Sequence, residues 1–139
     1  MTSSKRAVGF ENPDVYKLSE RLADPVWDVV HSWKALARDT VGKQLIRAAD
    51  SVGANIAEGS GRGTYQDNCR FCDMARGSLY ETRHWLRRAY RRQLLPQRVV
   101  DRLRALLDEL GPRLNAYRNA IRRAMRAQPP QTRRGRIRK

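Results

Sequence analysis

The residues best equipped for chemistry in this chain are arginines set at helical spacing. Arg76, Arg83, Arg87 and Arg91 recur on one helical face, with Tyr80 and His84 interleaved. Further on, Arg118, Arg122 and Arg126 stand four apart beside Arg123, and Arg133, Arg134, Arg136, Arg138 and Lys139 crowd the last residues. A guanidinium is a planar fork of donors that matches phosphate oxygens, whereas an ammonium acts as a point charge. Like charges at this spacing cost about 0.2–0.5 kcal/mol per pair in an isolated helix. Accumulating them implies a bound anion or larger compensating terms. Aromatic rings nearby add a second capability, since stacking on an unpaired base contributes about 1–3 kcal/mol. Trp33, Tyr117 and Trp85 are expected to pack in the core or an interface, while Tyr80 and Tyr90 are open to either role.

The charge of the whole chain points the same way. Lys and Arg number 29 against 14 Asp and Glu, a formal net charge of +15 and an isoelectric point near 11.1. Such a field attracts polyanions, whether RNA, DNA or an anionic membrane. A merely solvated surface is the plain alternative. No apolar run approaches the roughly 20 residues that span a bilayer, and Met1-Thr2-Ser3-Ser4-Lys5-Arg6 is followed by no apolar h-region. No membrane partner and a cytoplasmic location are therefore expected.

Other chemistries find little support. Cys69 and Cys72 form a lone C-x-x-C inside a helical pattern, while a redox dithiol usually follows a strand and opens a helix. Structural zinc would need two more ligands, and the two histidines, His31 and His84, lack ligand spacing. The cysteines read as packing thiols. Gly59-Ser60-Gly61-Arg62-Gly63 follows no strand and precedes no Gly-Lys-Ser/Thr, so it reads as a helix-ending turn, with glycine free to adopt the left-handed conformation. No catalytic residue, metal or cofactor is expected, and the chain reads as a non-enzyme.

The elements that would position the arginines are four apolar stripes. The first opens at Asn12-Pro13 and runs through Val15, Leu18, Leu22, Val26, Val29, Trp33 and Leu36, with Pro25 expected to kink or split it. After a turn near Asp39-Thr40, the second uses Val41, Leu45, Ala48, Val52 and Ile56. The third starts at Thr64 with Asp67 three residues on, resembling a capping box. It follows Phe71, Ala75, Ser78, Thr82, Leu86 and Ala89, with Gly77 and Ser78 small enough for close helix approach. Leu94-Leu95-Pro96 separates it from the fourth: Val100, Leu103, Leu107, Leu110, Leu114, Tyr117 and Ile121, a heptad seam that should stay helical, though kinked, through Gly111-Pro112. No segment alternates with period two. The pattern predicts an all-α, antiparallel up-and-down four-helix bundle over residues 12–128, preceded by a flexible 1–11 and followed by a disordered basic tail over 129–139. Without the tail's five cations the rest still carries +10.

The second helix also bears a polar seam: Gln44, Arg47, Ser51, Asn55, Glu58 and Arg62. A solvated face needs no such order, whereas one facing another helix or subunit does. Opposite charges inside a bundle must be paired, and Glu58 and Glu81 are the expected partners of Arg47 and Arg62. The run from Gln44-Leu45-Ile46-Arg47 through Asn55-Ile56-Ala57-Glu58-Gly59 to Arg62 resembles the signature of the bacterial four helix bundle proteins, also called ribosomal-RNA intervening-sequence proteins. Ala75-Arg76-Gly77-Ser78-Leu79-Tyr80-Glu81 resembles that family's second block, and Asn12-Pro13-Asp14-Val15-Tyr16-Lys17 its opening.

The resemblance covers roughly Phe10 to Pro96 and implies a four-helix bundle assembled into a ring-shaped homopentamer. Family members are often encoded within insertions in large-subunit ribosomal RNA genes. A related branch, the accessory variability determinants of diversity-generating retroelements, binds nucleic acid and a reverse transcriptase. No catalytic residue is implied. The chain departs from the pattern at Gly53, where proline is common, and in its long arginine-rich fourth helix and tail. Residues and resemblance together predict an oligomeric nucleic-acid-binding accessory protein, with RNA the favoured ligand and a retroelement reverse transcriptase as prospective partner. The alternative is a structural scaffold that binds an acidic protein.

Overall fold

Val15, Leu18, Leu22 and Val26 are buried along one stripe of helix α1 (Pro13–His31), and Pro25 sits inside that helix without splitting it. The structure, a computed structural model, describes residues 13–129. The expected cap at Asn12, the N-terminal segment 1–11 and the basic tail from residue 130 onward lie outside them. Helix α1 closes earlier than the apolar spacing predicts. The Ser32 amide and hydroxyl both donate to the Val29 carbonyl, at 3.2 and 2.7 Å, and the Trp33 amide donates to Val30 at 2.9 Å. Lys34 is extended, so the turn falls at residues 32–34 and not at Asp39-Thr40. This changes the stripe. Val30 is buried where Val29 was expected, and Leu36 lies beyond the turn, 80% exposed.

The second helix, α2, therefore spans 35–60. It begins with the short α-helical Ala35–Ala37, passes through a π-helical turn at Arg38–Gly42 and continues as Lys43–Ser60. Val41, Leu45, Ala48, Val52 and Ile56 are all buried, as their spacing predicts. A Cβ at Gly42 would lie 2.5 Å from Val30 Cγ1, so the π-turn is pressed directly against the end of α1.

The glycine-rich connection behaves differently from expectation. Gly61 closes α2 at φ −84°, and among the described residues no glycine has positive φ. The Gly61 and Arg62 amides return to Ala57 and Gly59 at 3.2 and 3.1 Å. Thr64 then caps α3 (Tyr65–Arg91), its hydroxyl accepting from the Asp67 amide at 3.1 Å. Only that half of the capping box is used; the Asp67 carboxylate instead pairs with Arg62 and Arg70, each at 3.5 Å. Close approach of α2 and α3 occurs at Gly59, where an added Cβ would lie 2.7 Å from Asn68 Oδ1 and 2.9 Å from Phe71 Cβ. Gly77, expected to serve that purpose, is exposed with nothing near it. The α3 core stripe is also rotated: Cys72 and Leu79 are buried with Ala75, Thr82 and Ala89, while Phe71, Ser78 and Leu86 lie half-buried at its edges.

Helix α4 (Gln97–Arg126) continues through Pro112. Leu103, Leu107, Leu110, Leu114, Tyr117 and Ile121 are buried along it, with Leu106 added and Val100 half-buried. Successive helices pack as neighbours and α4 closes against α1, giving the up-and-down four-helix bundle.

The α3–α4 connection rests on one unusual residue. Gln93 has φ 60°, and its amide donates to Tyr90 while that of Leu94 donates to Ala89, both at 3.0 Å. This is a Schellman closure with a non-glycine residue in the left-handed position. Gln93→Gly should therefore stabilise the protein by about 0.5–1 kcal/mol, relief of the Cβ clash outweighing the added chain entropy. Urea denaturation monitored by circular dichroism measures it, and a lower midpoint for the variant would contradict the assignment.

Candidate nucleic-acid interface

Because α3 and α4 run antiparallel from a short connection, the last turns of α3 face the first turns of α4. The cross-helix ion pairs fix the register. Arg83 Nη2 lies 3.4 Å from Asp108 Oδ1, and further from the connection Arg118 binds both carboxylate oxygens of Asp73 through Nε and Nη2. Arg76 reaches the same Asp73 carboxylate at 3.8 Å. Asp73 raises the Arg118 pKa further still, and the Arg118 side chain is only 18% exposed. Arg76, Arg83 and Arg118 are thus partly neutralised where they stand.

The end near the connection is different. A cleft of about 420 Å³ opens between α3 and α4, lined by Arg83, Arg87, Arg88, Tyr90, Arg91 and Arg104 over an apolar floor that includes Leu86 and Leu103. No carboxylate lines it. Among the described residues, Arg87, Arg88, Arg91 and Arg104 make no ion pair. Arg88 and Arg91 also occupy the last turn of α3, where a cation complements the helix dipole at about 0.3–1 kcal/mol. That favours their presence without requiring a ligand, but it says nothing of Arg87 or Arg104. Tyr90 is 49% exposed and Tyr80, two to three turns earlier, 60%. His84 is exposed and meets Trp85 edge-on, ring centroids 4.8 Å apart.

The predicted arginines do not form one patch. Arg87 and Arg91 lie in the cleft, whereas Arg122, half-buried, and Arg126, exposed, belong to the other end of α4. At 1.5 Å per residue, Arg104 and Arg122 are about 27 Å apart along that helix. Arg133, Arg134, Arg136, Arg138 and Lys139 fall outside the described residues. Arg88 and Arg104 were missed by sequence reasoning. The short connection was their signal, since it sets the first turns of α4 beside the last of α3.

The polar seam of α2 is a surface feature of the single chain. Gln44, Ser51 and Asn55 are half-buried and Arg47, Glu58 and Arg62 exposed, as is Glu81 on α3. Asn55 Nδ2 donates to the Ser51 carbonyl at 2.9 Å, and Arg62 pairs with Glu58 at 3.2 Å while lying 5.3 Å from the Phe71 ring centroid. Arg47 and Glu81 are not joined; Arg47 instead borders a cleft beside α1.

A family model for the 23S rRNA-intervening sequence protein matches residues 11–116. The chain belongs to this family. The match to the 23S rRNA-intervening sequence family takes in α1 to α3 and most of α4, so the cleft arginines of this chain lie within the matched region, while Arg118, Arg122 and Arg126 follow it. No curated protein matches the chain. Among the described residues, no group of three or more His, Cys, Asp or Glu could hold a metal ion, and no helix is long and apolar enough to cross a membrane.

Both cysteines are free and buried in the first half of α3, with Cys72 Sγ 4.0 Å from the Leu114 carbonyl. Burial above all, then Cys69 and Asp73, pushes the Cys72 thiol up to about 12. At pH 8 the raised pKa leaves far less of the reactive thiolate, so Cys72 should alkylate about a hundred- to a thousandfold more slowly in the folded protein than in denaturant. Mass spectrometry after timed iodoacetamide treatment checks this. The unfolded thiol ionises near 9.0 and the folded one only near 12, so this group's contribution to stability is intact below pH 9 and is lost as pH rises towards 12. Rapid native labelling of Cys72 would refute its placement.

Proposed function

We propose that this member of the 23S rRNA-intervening sequence family is a non-enzymatic nucleic-acid-binding accessory protein that works as a homo-oligomer, with RNA as its ligand. The observation that carries the reading is the α3–α4 cleft, where Arg87, Arg88, Arg91 and Arg104 converge without a carboxylate and Tyr90 offers a ring. Four guanidinium forks around an apolar floor suit a phosphate backbone whose bases can stack, the combination that single strands present. A reverse transcriptase is the protein partner that the family resemblance implies. A pentameric ring, implied in the same way, would repeat the cleft in every subunit and add avidity.

The deciding experiment is fluorescence anisotropy with single-stranded RNA across a salt series. Log Kd should vary linearly with log salt, and Arg87→Gln, Arg88→Gln, Arg91→Gln and Arg104→Gln combined should flatten the slope by about 0.7 for each phosphate no longer neutralised. Circular dichroism and light scattering must first show the variant folded and assembled. An unchanged slope would place the RNA elsewhere on the protein. Tight binding of an acidic polypeptide with no binding of RNA would make the chain a scaffold for an acidic protein.

Oligomerisation is tested separately. Multi-angle light scattering at micromolar concentration should give a mass several times the 16.1 kDa of the chain, five times for a pentamer. A monomeric mass would overturn the ring.

A further inference from the structure

We propose that the corner between α1 and α2 is a second binding site, for a nucleotide: a flat base held on Trp27 and His31, its phosphate held by Lys43 and Arg47. The proposal rests on the nucleic-acid reading above only for the source of the nucleotide; the site itself is argued from its own geometry. A cleft of about 430 Å³ lies there, within the size range of small-ligand sites. One wall is the Trp27 indole, 57% exposed on α1 and stacked with the His31 imidazole at 6.3 Å and 17°. Val30 and Ile46 supply an apolar floor. Trp27 and His31 cover part of one another, so the open part of the exposed indole is the surface on which a base can stack.

The electrostatics favour an anion at one end. Arg38, Asp39, Lys43 and Arg47 line the cleft, and the Asp39 carboxylate is engaged by Arg38, Nε to Oδ1 at 3.0 Å. Lys43 and Arg47, one helical turn apart, form no ion pair among the described residues, although Lys43, after Arg38, helps hold the Asp39 carboxyl below its ordinary range. On the other side, Asp50 lies at the next turn of α2, and its carboxyl is raised by partial burial and by Asp24. The phosphate therefore belongs towards the π-turn and away from Asp50. The π-turn at Arg38–Gly42, a feature often found at functional sites, holds Arg38 and Asp39 in the wall.

Topology links the two clefts. In an up-and-down bundle the α1–α2 and α3–α4 connections lie at the same end, and the π-turn packs against α3 as well as α1. The corner and the arginine cleft are on opposite sides of that end, roughly 20 Å apart at usual helix spacings. One single strand could occupy both.

The test uses the full chain, its intrinsic fluorescence, and two probes, decauridylate and UMP. Decauridylate should quench the exposed Trp27, and Trp27→Ala should abolish that quench and weaken binding between about 5- and 150-fold, the range for one base on an aromatic ring. Lys43→Gln with Arg47→Gln should weaken it while keeping partial quench at saturation. Trp27 lies outside the core, so folding is preserved, as circular dichroism will verify. Quench by decauridylate alone identifies a strand as the source; equal quench by UMP identifies a free nucleotide. Either outcome supports the site. If RNA binds with parental affinity to Trp27→Ala and leaves parental emission unchanged, this proposal falls and the arginine cleft stands. If RNA fails to bind at all, the nucleic-acid reading falls, and UMP alone decides the corner: no quench overturns it. A lower oligomer mass for Trp27→Ala with unchanged RNA affinity would assign the corner to a second copy of the chain and overturn the proposal.

Discussion

The short connection between α3 and α4 sets which charges meet, and the surface chemistry of the bundle depends on it. Two antiparallel helices joined by a few residues have one register in which both apolar seams are buried. Here that register puts Asp73 against Arg118 and Asp108 against Arg83. It leaves the cleft between the last turn of α3 and the first turns of α4 lined by arginines and by no carboxylate. A single left-handed residue, Gln93, holds the arrangement. The strained residue and the arginine cleft are adjacent because both belong to the same reversal of the chain.

Charge counted along a sequence differs from charge presented by a surface. Arg76 and Arg91 look alike as members of one helical face, yet the first shares Asp73 with Arg118 and the second has no such partner. A screened surface pair contributes about 0–1 kcal/mol to stability, but it removes much of the local field. The helical body is basic throughout; unpaired guanidinium groups gather around the α3–α4 connection, and Arg122, Arg123 and Arg126 form a separate group at the far end of α4.

Element type and core periodicity were legible in the sequence because they depend on local spacing. Leu45, Val52 and Ile56 on α2 and the heptad of α4 fall where a 3.6-residue period puts them. Thr64 was legible for the same reason, being a cap with its partner three residues on. What escaped depends on contacts between distant segments or on a local break in the period. The Ser32 hydroxyl closing α1 and the π-turn that follows displaced the first turn by several residues and left Leu36 in solvent. Arg88 and Arg104 were invisible as a pair, since only the register of α3 against α4 brings them together. Gly59, not Gly77, lies at the close contact for a similar reason: which small residue meets a neighbour is decided by the packed helix pair.

The π-turn has a bearing on how this chain can change by insertion and deletion. Such a turn holds one residue more than the α-helical turn it replaces, and each helical residue turns the chain by about 100°. Losing one residue from Arg38–Gly42 would restore a regular helix while swinging Ala35–Ala37, and the connection to α1, around the axis. Gly42 is already packed against Val30, which leaves no slack to absorb that rotation. Exposed corners ordinarily accept changes in length. This one is geometrically locked, so its tolerance should be to residue type and not to residue number.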